Sequence, residues 1–519
     1  MSKGRTGALL PALLIAATGL HAESHGSEPL SAIDWLSKSV ATPAAMPLPP
    51  SISIEPPVAP GITRDPITVM PLDGPSLDGI GLLPASKTGL PRDLWGITAS
   101  AELARRIRAE RVDALPTIQR LLYTLLLAEL APPVDSDLRG ELFLARIDKL
   151  LDLGALDPAL ALLEQVETPQ AEPFRRWFDI ALLTGQEDRA CEVMRETPSV
   201  APTFPARVFC LARGGDWNAA ALSLRTGETL GYIDADTSAL LERFLDPELF
   251  EGEPDLPMPA RPSPLVLRLM EAIGQPLPTT TLPVAFAQAD LRSNAGWKTR
   301  LEAGERLARS GAIEPNRLLG LYTERKAAAS GGVWERVSAI QALDAALSDG
   351  KTDAIARALP TAWKRMTEVE LEVPFAALFA PRLSSLDLPG AAGALAFRIG
   401  LLSEDYEAVA RSRIPETAEE RFLIGLARGQ SAGTTPTDQM GAAVHAAFAT
   451  EGGLSTDLAN LLAEKRLGEA LLITIDRITE GARGDLRSIT EGLRLLRQVG
   501  LESVARRTAL ELVLLERRG

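Results

Sequence analysis

Three apolar helical runs between Leu142 and Leu230 each stop on a glycine, and an alanine follows five positions later to open the next run. The turns read LDLGALDPALALL (Gly154, Ala159), LLTGQEDRACEVM (Gly185, Ala190) and LARGGDWNAAALSL (Gly215, Ala220). The glycines are separated by 185 − 154 = 31 and 215 − 185 = 30 residues. Glycine at a helix end takes the left-handed conformation without a side-chain clash, and a small residue one turn into the next helix lets two helices approach closely. A helix-turn-helix unit of this kind cannot bury its apolar face alone and must stack on its neighbours. The constraint is strong: the chain is expected to be all-α, an α-solenoid of stacked helix-turn-helix repeats.

Weaker copies of the turn recur as SGGVWERVSAI, SDGKTDAIARAL, LSEDYEAVARS and KRLGEALLITI. The last copy, QVGLESVARRTALELV, restores the spacing with Gly500 and Ala505. The array is therefore expected to reach the C-terminus in about twenty helices, with no sheet of more than two strands. Aromatic residues make up only 5% of the 519, which suits many medium-sized helices in contact better than a large sheet.

Two proline-rich stretches interrupt the helical pattern. Residues 41 to 95 carry twelve prolines, at a spacing that opposes helix and favours extended chain. The second half of that stretch holds Ile67, Val69, Met70, Ile80, Leu82, Leu83 and Trp95, too much apolar surface to leave in water. Residues 65 to 96 are accordingly expected to lie against the helical body. A second stretch, 246 to 284, holds nine prolines, with only Leu265 to Ile273 free to be helical. The expected division is 1–22 an export signal, 23–96 a Pro-rich extended segment, 97–245 a first helical-repeat half, 246–284 a Pro-rich break and 285–519 a second half.

The export signal is read from Lys3 and Arg5, the apolar run ALLPALLIAATGL, and Ala22 at a plausible cleavage point. That run falls short of the ~20 residues needed to span a bilayer, and no other charge-free stretch reaches this length, so no transmembrane segment is expected in the mature chain. Only 9 of the 54 basic residues are lysine, a usage typical of GC-rich bacterial genomes, and with the signal it points to the periplasm. The short amphipathic piece Ser31 to Val40 would either dock on the helices or recruit another protein.

The formal charge is -14; loss of Lys3 and Arg5 leaves 52 basic residues against 68 acidic, 52 − 68 = −16. Polyanions are repelled on average, so nucleic acid is not an expected partner. Arg487, Arg494, Arg497, Arg506 and Arg507 form the one basic run, which reads as a solvated helix face.

Catalytic chemistry has little to work with. His445 is the single histidine of the folded body, in MGAAVHAAFA, and it reads as a packing or surface residue rather than a triad member or metal ligand. GLLPASKT at Gly81 to Thr88 has the outline of a phosphate loop, but Pro84 lies inside it, and Gly89 and Pro91 oppose the helix whose N-terminus would face a phosphate. Glu502 is the nearest counterpart of a glycan-cleaving acid, yet it sits in a repeat-type turn with no second carboxylate implied. No cofactor, metal or catalytic residue is assigned.

The two cysteines are expected to bond. Cys191 lies in the second helix of one repeat and Cys210 in the first helix of the next; in an antiparallel pair opposed residues have a constant sum, and these two are symmetric about the turn TPSVAPTFP. An oxidising compartment would permit the bond, and its ~18-residue loop implies about 3 kcal/mol of stabilisation. The same positions also suit two small buried thiols.

The repeat turns resemble those of tetratricopeptide-like and related α-solenoid proteins over about four fifths of the mature chain, although the copies run shorter and carry fewer aromatics. What the resemblance implies is protein or peptide binding on a concave face. The expected function is a non-enzymatic periplasmic scaffold or adaptor that binds protein partners in a cell-envelope complex. Three alternatives stay open: a peptidoglycan-acting enzyme or its regulator, a flagellar-motor or secretion accessory protein, and a small-ligand receptor with a polar pocket near residues 246 to 284.

Overall fold

A computed structural model describes residues 76–449 and 452–515. The export signal, the piece Ser31 to Val40 and the first part of the Pro-rich segment lie outside the described residues. Of the described residues 65% are helical, in 25 α-helices and four 3-10 turns with no strand. The helices pack mainly on their neighbours in sequence, an all-α, solenoid-like arrangement.

The repeat turns act through backbone sterics. Gly154, Gly185, Gly215 and Gly500 have φ of 77°, 78°, 83° and 86°, and Ala159, Ala190, Ala220 and Ala505 are all 0% exposed. The weaker copy KRLGEALLITI and one further turn use the same geometry without glycine at the left-handed position. Lys465 takes φ 58° and Glu370 takes φ 55°, and five residues on, Ala470 and Phe375 are fully buried. A left-handed non-glycine residue costs about 1 kcal/mol, so packing holds these turns where local propensity would not.

The first and last repeats are in contact. The helices Ser100–Ala109 and Pro116–Leu127 both pack on Leu467–Gly481, and Pro116–Leu127 also packs on the final helix Glu502–Leu514. Leu115 gives Pro116–Leu127 no side-chain cap. The buried Glu511 carboxylate supplies it instead, accepting from Thr117 N at 3.0 Å and Thr117 Oγ1 at 2.6 Å. A carboxylate at a helix N-terminus satisfies donors that the helix leaves free. Glu469 accepts from Thr98 Oγ1 at 3.1 Å and pairs with Arg106 at 3.2 Å. Beside it the Trp95 indole lies over Gly468, where an added Cβ would meet the ring at 2.5 Å.

Residues 76–96 are packed, with Leu77, Leu90, Leu94 and Trp95 all buried. Leu82 N and Leu83 N donate to Leu127 O at 2.8 and 3.0 Å, and Glu129 N returns a bond to Leu83 O at 2.8 Å. Arg146, 1% exposed, ties these two segments together. Its Nε donates to Leu126 O at 2.7 Å, Nη1 to Ile80 O at 2.7 Å and Nη2 to Ala128 O at 3.1 Å. Proline spacing left no room for helix here, yet one turn forms at Ala85–Thr88. Pro84 sits at its N-cap, where a missing N–H costs nothing, and Gly89 at φ 68° stops it. Within 246–284 the helix Pro264–Ala272 packs on Ala171–Thr184.

Candidate functional site

The helices Glu187–Glu196 and Phe204–Arg213 are joined by a 3-10 turn at Pro198–Val200. They carry the two cysteines face to face, with Sγ–Sγ 1.99 Å and Cα–Cα 5.0 Å. Helix axes pack ~8–10 Å apart, but each Cα stands ~2.3 Å off its axis, so facing Cα atoms come within about 4–5 Å. We expect titration of the unfolded, unreduced protein to find no free thiol. Cys191→Ser should lower unfolding stability by about 3 kcal/mol. Two free thiols per chain would contradict the bond.

The disulfide lines a cleft of about 530 Å³ together with Met194 and Leu211, and Arg195, Arg207 and Arg213 also line it. Two of these guanidiniums are committed: Arg213 to Asp188 at 2.6 Å and Arg195 to Glu192 at 3.3 Å. Arg207 donates to Pro198 O at 3.1 Å and lies 5.8 Å from the Phe204 ring centroid. Among the described residues it meets no carboxylate. The site thus offers a greasy, sulfur-rich surface beside Arg207, a guanidinium without a carboxylate partner among the described residues, and Asp216, which lines the same cleft.

Arg213 also lines a second cleft, of about 630 Å³. There Glu271 Oε2 accepts from Arg268 at 2.5 Å and Arg292 at 2.8 Å, and Oε1 accepts from Asn294 at 3.0 Å. Burial works against the charge on Glu271, but the two guanidiniums outweigh it and hold the carboxyl below its ordinary value. A third cleft of about 550 Å³ shares Glu271, Arg292 and Asn294 and is bounded by Pro276 and Pro278. Sequence spacing marks only the i,i+3 pair Arg268 and Glu271; Arg292 and Asn294 come from a separate loop and meet that helix only in the fold.

The residues weighed for catalysis are dispersed. His445 Nε2 lies 3.1 Å from Ser431 O, beside the Phe422 ring. Glu502 opens the last helix, paired with Arg497 at 3.0 Å and Arg506 at 2.9 Å. Ser86 stands in the single turn Ala85–Thr88, which has no strand before it. The basic run is neutralised or tied to backbone: Arg487 meets Glu491, Arg507 meets Glu404, and Arg494 and Arg497 donate to Ala446 O and Ala447 O. No group of three or more His, Cys, Asp or Glu among the described residues could hold a metal, and no described helix is long and apolar enough to cross a membrane.

The fold and these clefts define a helical-array protein with recessed, mixed-character surfaces. Compared with protein families, curated proteins and solved structures, the chain matches none.

Proposed function

We propose that the chain is a non-enzymatic scaffold or adaptor of tetratricopeptide-like character, exported to the periplasm, that binds protein partners of a cell-envelope complex. The observation that carries this reading is the disulfide cleft, whose apolar floor and Arg207 guanidinium, bonded to a backbone carbonyl and to no described carboxylate, suit an apolar side chain followed by a carboxylate. Burial of an apolar anchor supplies affinity, and the Arg207 charge, with Asp216 across the same lining, supplies orientation.

The test is a photo-crosslinking residue in place of Glu192, at the cleft rim, in the full chain inside cells. A discrete envelope protein should be captured, and the adduct should vanish with Arg207→Glu. Crosslinking only to the chain itself, or an adduct indifferent to Arg207→Glu, overturns the reading. Cleavage of wall glycan by the purified protein would instead favour the enzymatic alternative. A second reading, capture of a small polar ligand, is supported by the two clefts around Glu271, which adjoin the Pro-rich break.

A further inference from the structure

Apart from the disulfide cleft, Leu163, Val166, Phe174 and Val193 line a slot of about 200 Å³ whose remaining boundary includes Trp177, Glu167 and Gln170. It lies where the helix Leu156–Leu163 gives way, through residues 164–170, to the helix Ala171–Thr184. Trp177 is half-buried and meets the Phe174 ring edge-on at 5.5 Å. The Arg189 guanidinium lies 5.4 Å from the indole centroid and is bonded to Glu164 at 2.7 Å.

Three polar groups of the slot are idle. Among the described residues the Trp177 indole N–H has no acceptor, and it is not enclosed, so a ligand can reach it. Among the described residues the Gln170 side-chain amide has no hydrogen-bond partner and the exposed Glu167 carboxylate meets no cation. Counting Glu164, Glu167 and Arg189, the rim carries +1 − 2 = −1.

We propose that this slot is a receptor for an extended, proline-bearing segment of a partner protein with a basic residue beside the prolines. A polyproline-type backbone has no internal hydrogen bonds, so its carbonyls are free to accept from the indole N–H and the Gln170 amide. An α-helical ligand would bring its carbonyls already bonded and leave the indole idle. Proline rings fit the aromatic and aliphatic floor, and a chain already extended loses little entropy on binding. The partner's basic side chain answers Glu167, since Arg189 is taken by Glu164.

The experiment uses the full chain and a fluorescein-labelled hexapeptide of four prolines, one leucine and a terminal arginine, read by anisotropy. Saturable binding is expected, and it should disappear when the prolines are replaced by alanines. Trp177→Phe keeps an aromatic floor but deletes the donor, and should weaken binding about fivefold to tenfold. Glu167→Gln should weaken binding of the arginine peptide severalfold while leaving a peptide with alanine in that place unaffected. Arg207→Glu, in the separate disulfide cleft, should leave peptide binding unchanged, so this slot and the adaptor reading succeed or fail separately. Thermal midpoints within a few degrees of the parent establish that the variants are folded. Absence of saturation at millimolar peptide, equal binding of the alanine peptide, or an unchanged affinity in Trp177→Phe overturns the proposal. So does a photo-crosslinker at Thr168 that captures the chain's own residues 41–66 in place of the added peptide.

Discussion

Arg146→Met should destabilise the protein by about 3–5 kcal/mol, the range found when one partner of a buried charged interaction is deleted. Three backbone carbonyls, Leu126 O, Ile80 O and Ala128 O, receive the Arg146 donors. Methionine fills much of the stem volume but donates nothing, and a buried carbonyl left without a partner costs about 1–3 kcal/mol. Burial pushes the guanidinium pKa down to about 10, so the side chain is still charged at neutral pH and its donors are all in use. Because Ile80 O belongs to the segment laid over the helices, the loss should be local before it is global. Urea unfolding would show the drop, and limited proteolysis should reveal new cuts within residues 77–96. A midpoint within about 0.5 kcal/mol of the parent, typical of surface changes, would refute this account of how the segment is held.

Asp179→Asn should stabilise the protein at pH 8 and lose that advantage in acid. Asp179 lies on the helix Ala171–Thr184, 4% exposed, and its Oδ2 has no hydrogen-bond partner. Burial raises its pKa to about 7 against the pull of Arg175 and Arg176. A carboxyl whose folded pKa exceeds its unfolded value binds protons more readily when folded. Its contribution to stability is therefore fully present below the unfolded pKa near 4 and is lost as pH rises through about 7. About three pKa units at 1.36 kcal/mol each correspond to on the order of 4 kcal/mol. Asparagine is neutral throughout, so the variant's advantage should be a few kcal/mol at pH 8, shrink through pH 7 and vanish near pH 4. Other carboxyls change the slope of both proteins alike, which makes the difference between them the quantity to measure. A difference independent of pH would sink the argument.

The disulfide pairing was legible in the sequence because a helical hairpin is symmetric about its turn, and two numbers then place two side chains opposite each other. The clefts were not. Arg268 and Glu271 stand three apart on one helix, a pairing that spacing allows, but Arg292 reaches them from a loop beyond a proline-rich passage, and no periodicity relates it to them. The Trp177 slot was equally hidden: a tryptophan in a helical run reads as packing, and only the absence of an acceptor for its N–H among the described residues distinguishes it. The turn at Lys465 was legible as the copy KRLGEALLITI, but neither its left-handed residue nor the turn at Glu370 carries a glycine to mark it, because there tertiary packing overrode the local preference.

By itself the sequence determined that this chain is a row of helices, where most of them stop, and which small residues let consecutive helices touch. Those properties depend on backbone sterics and apolar spacing within a few residues, and they are present in any window that contains Gly154 and Ala159 or Gly500 and Ala505. Only the tertiary structure decided that the last helix would cap one of the first, with Glu511 and Thr117 separated by 394 positions. Such a meeting depends on small rotations accumulated from repeat to repeat, set by side-chain packing at every interface, and no local stretch of sequence contains their sum.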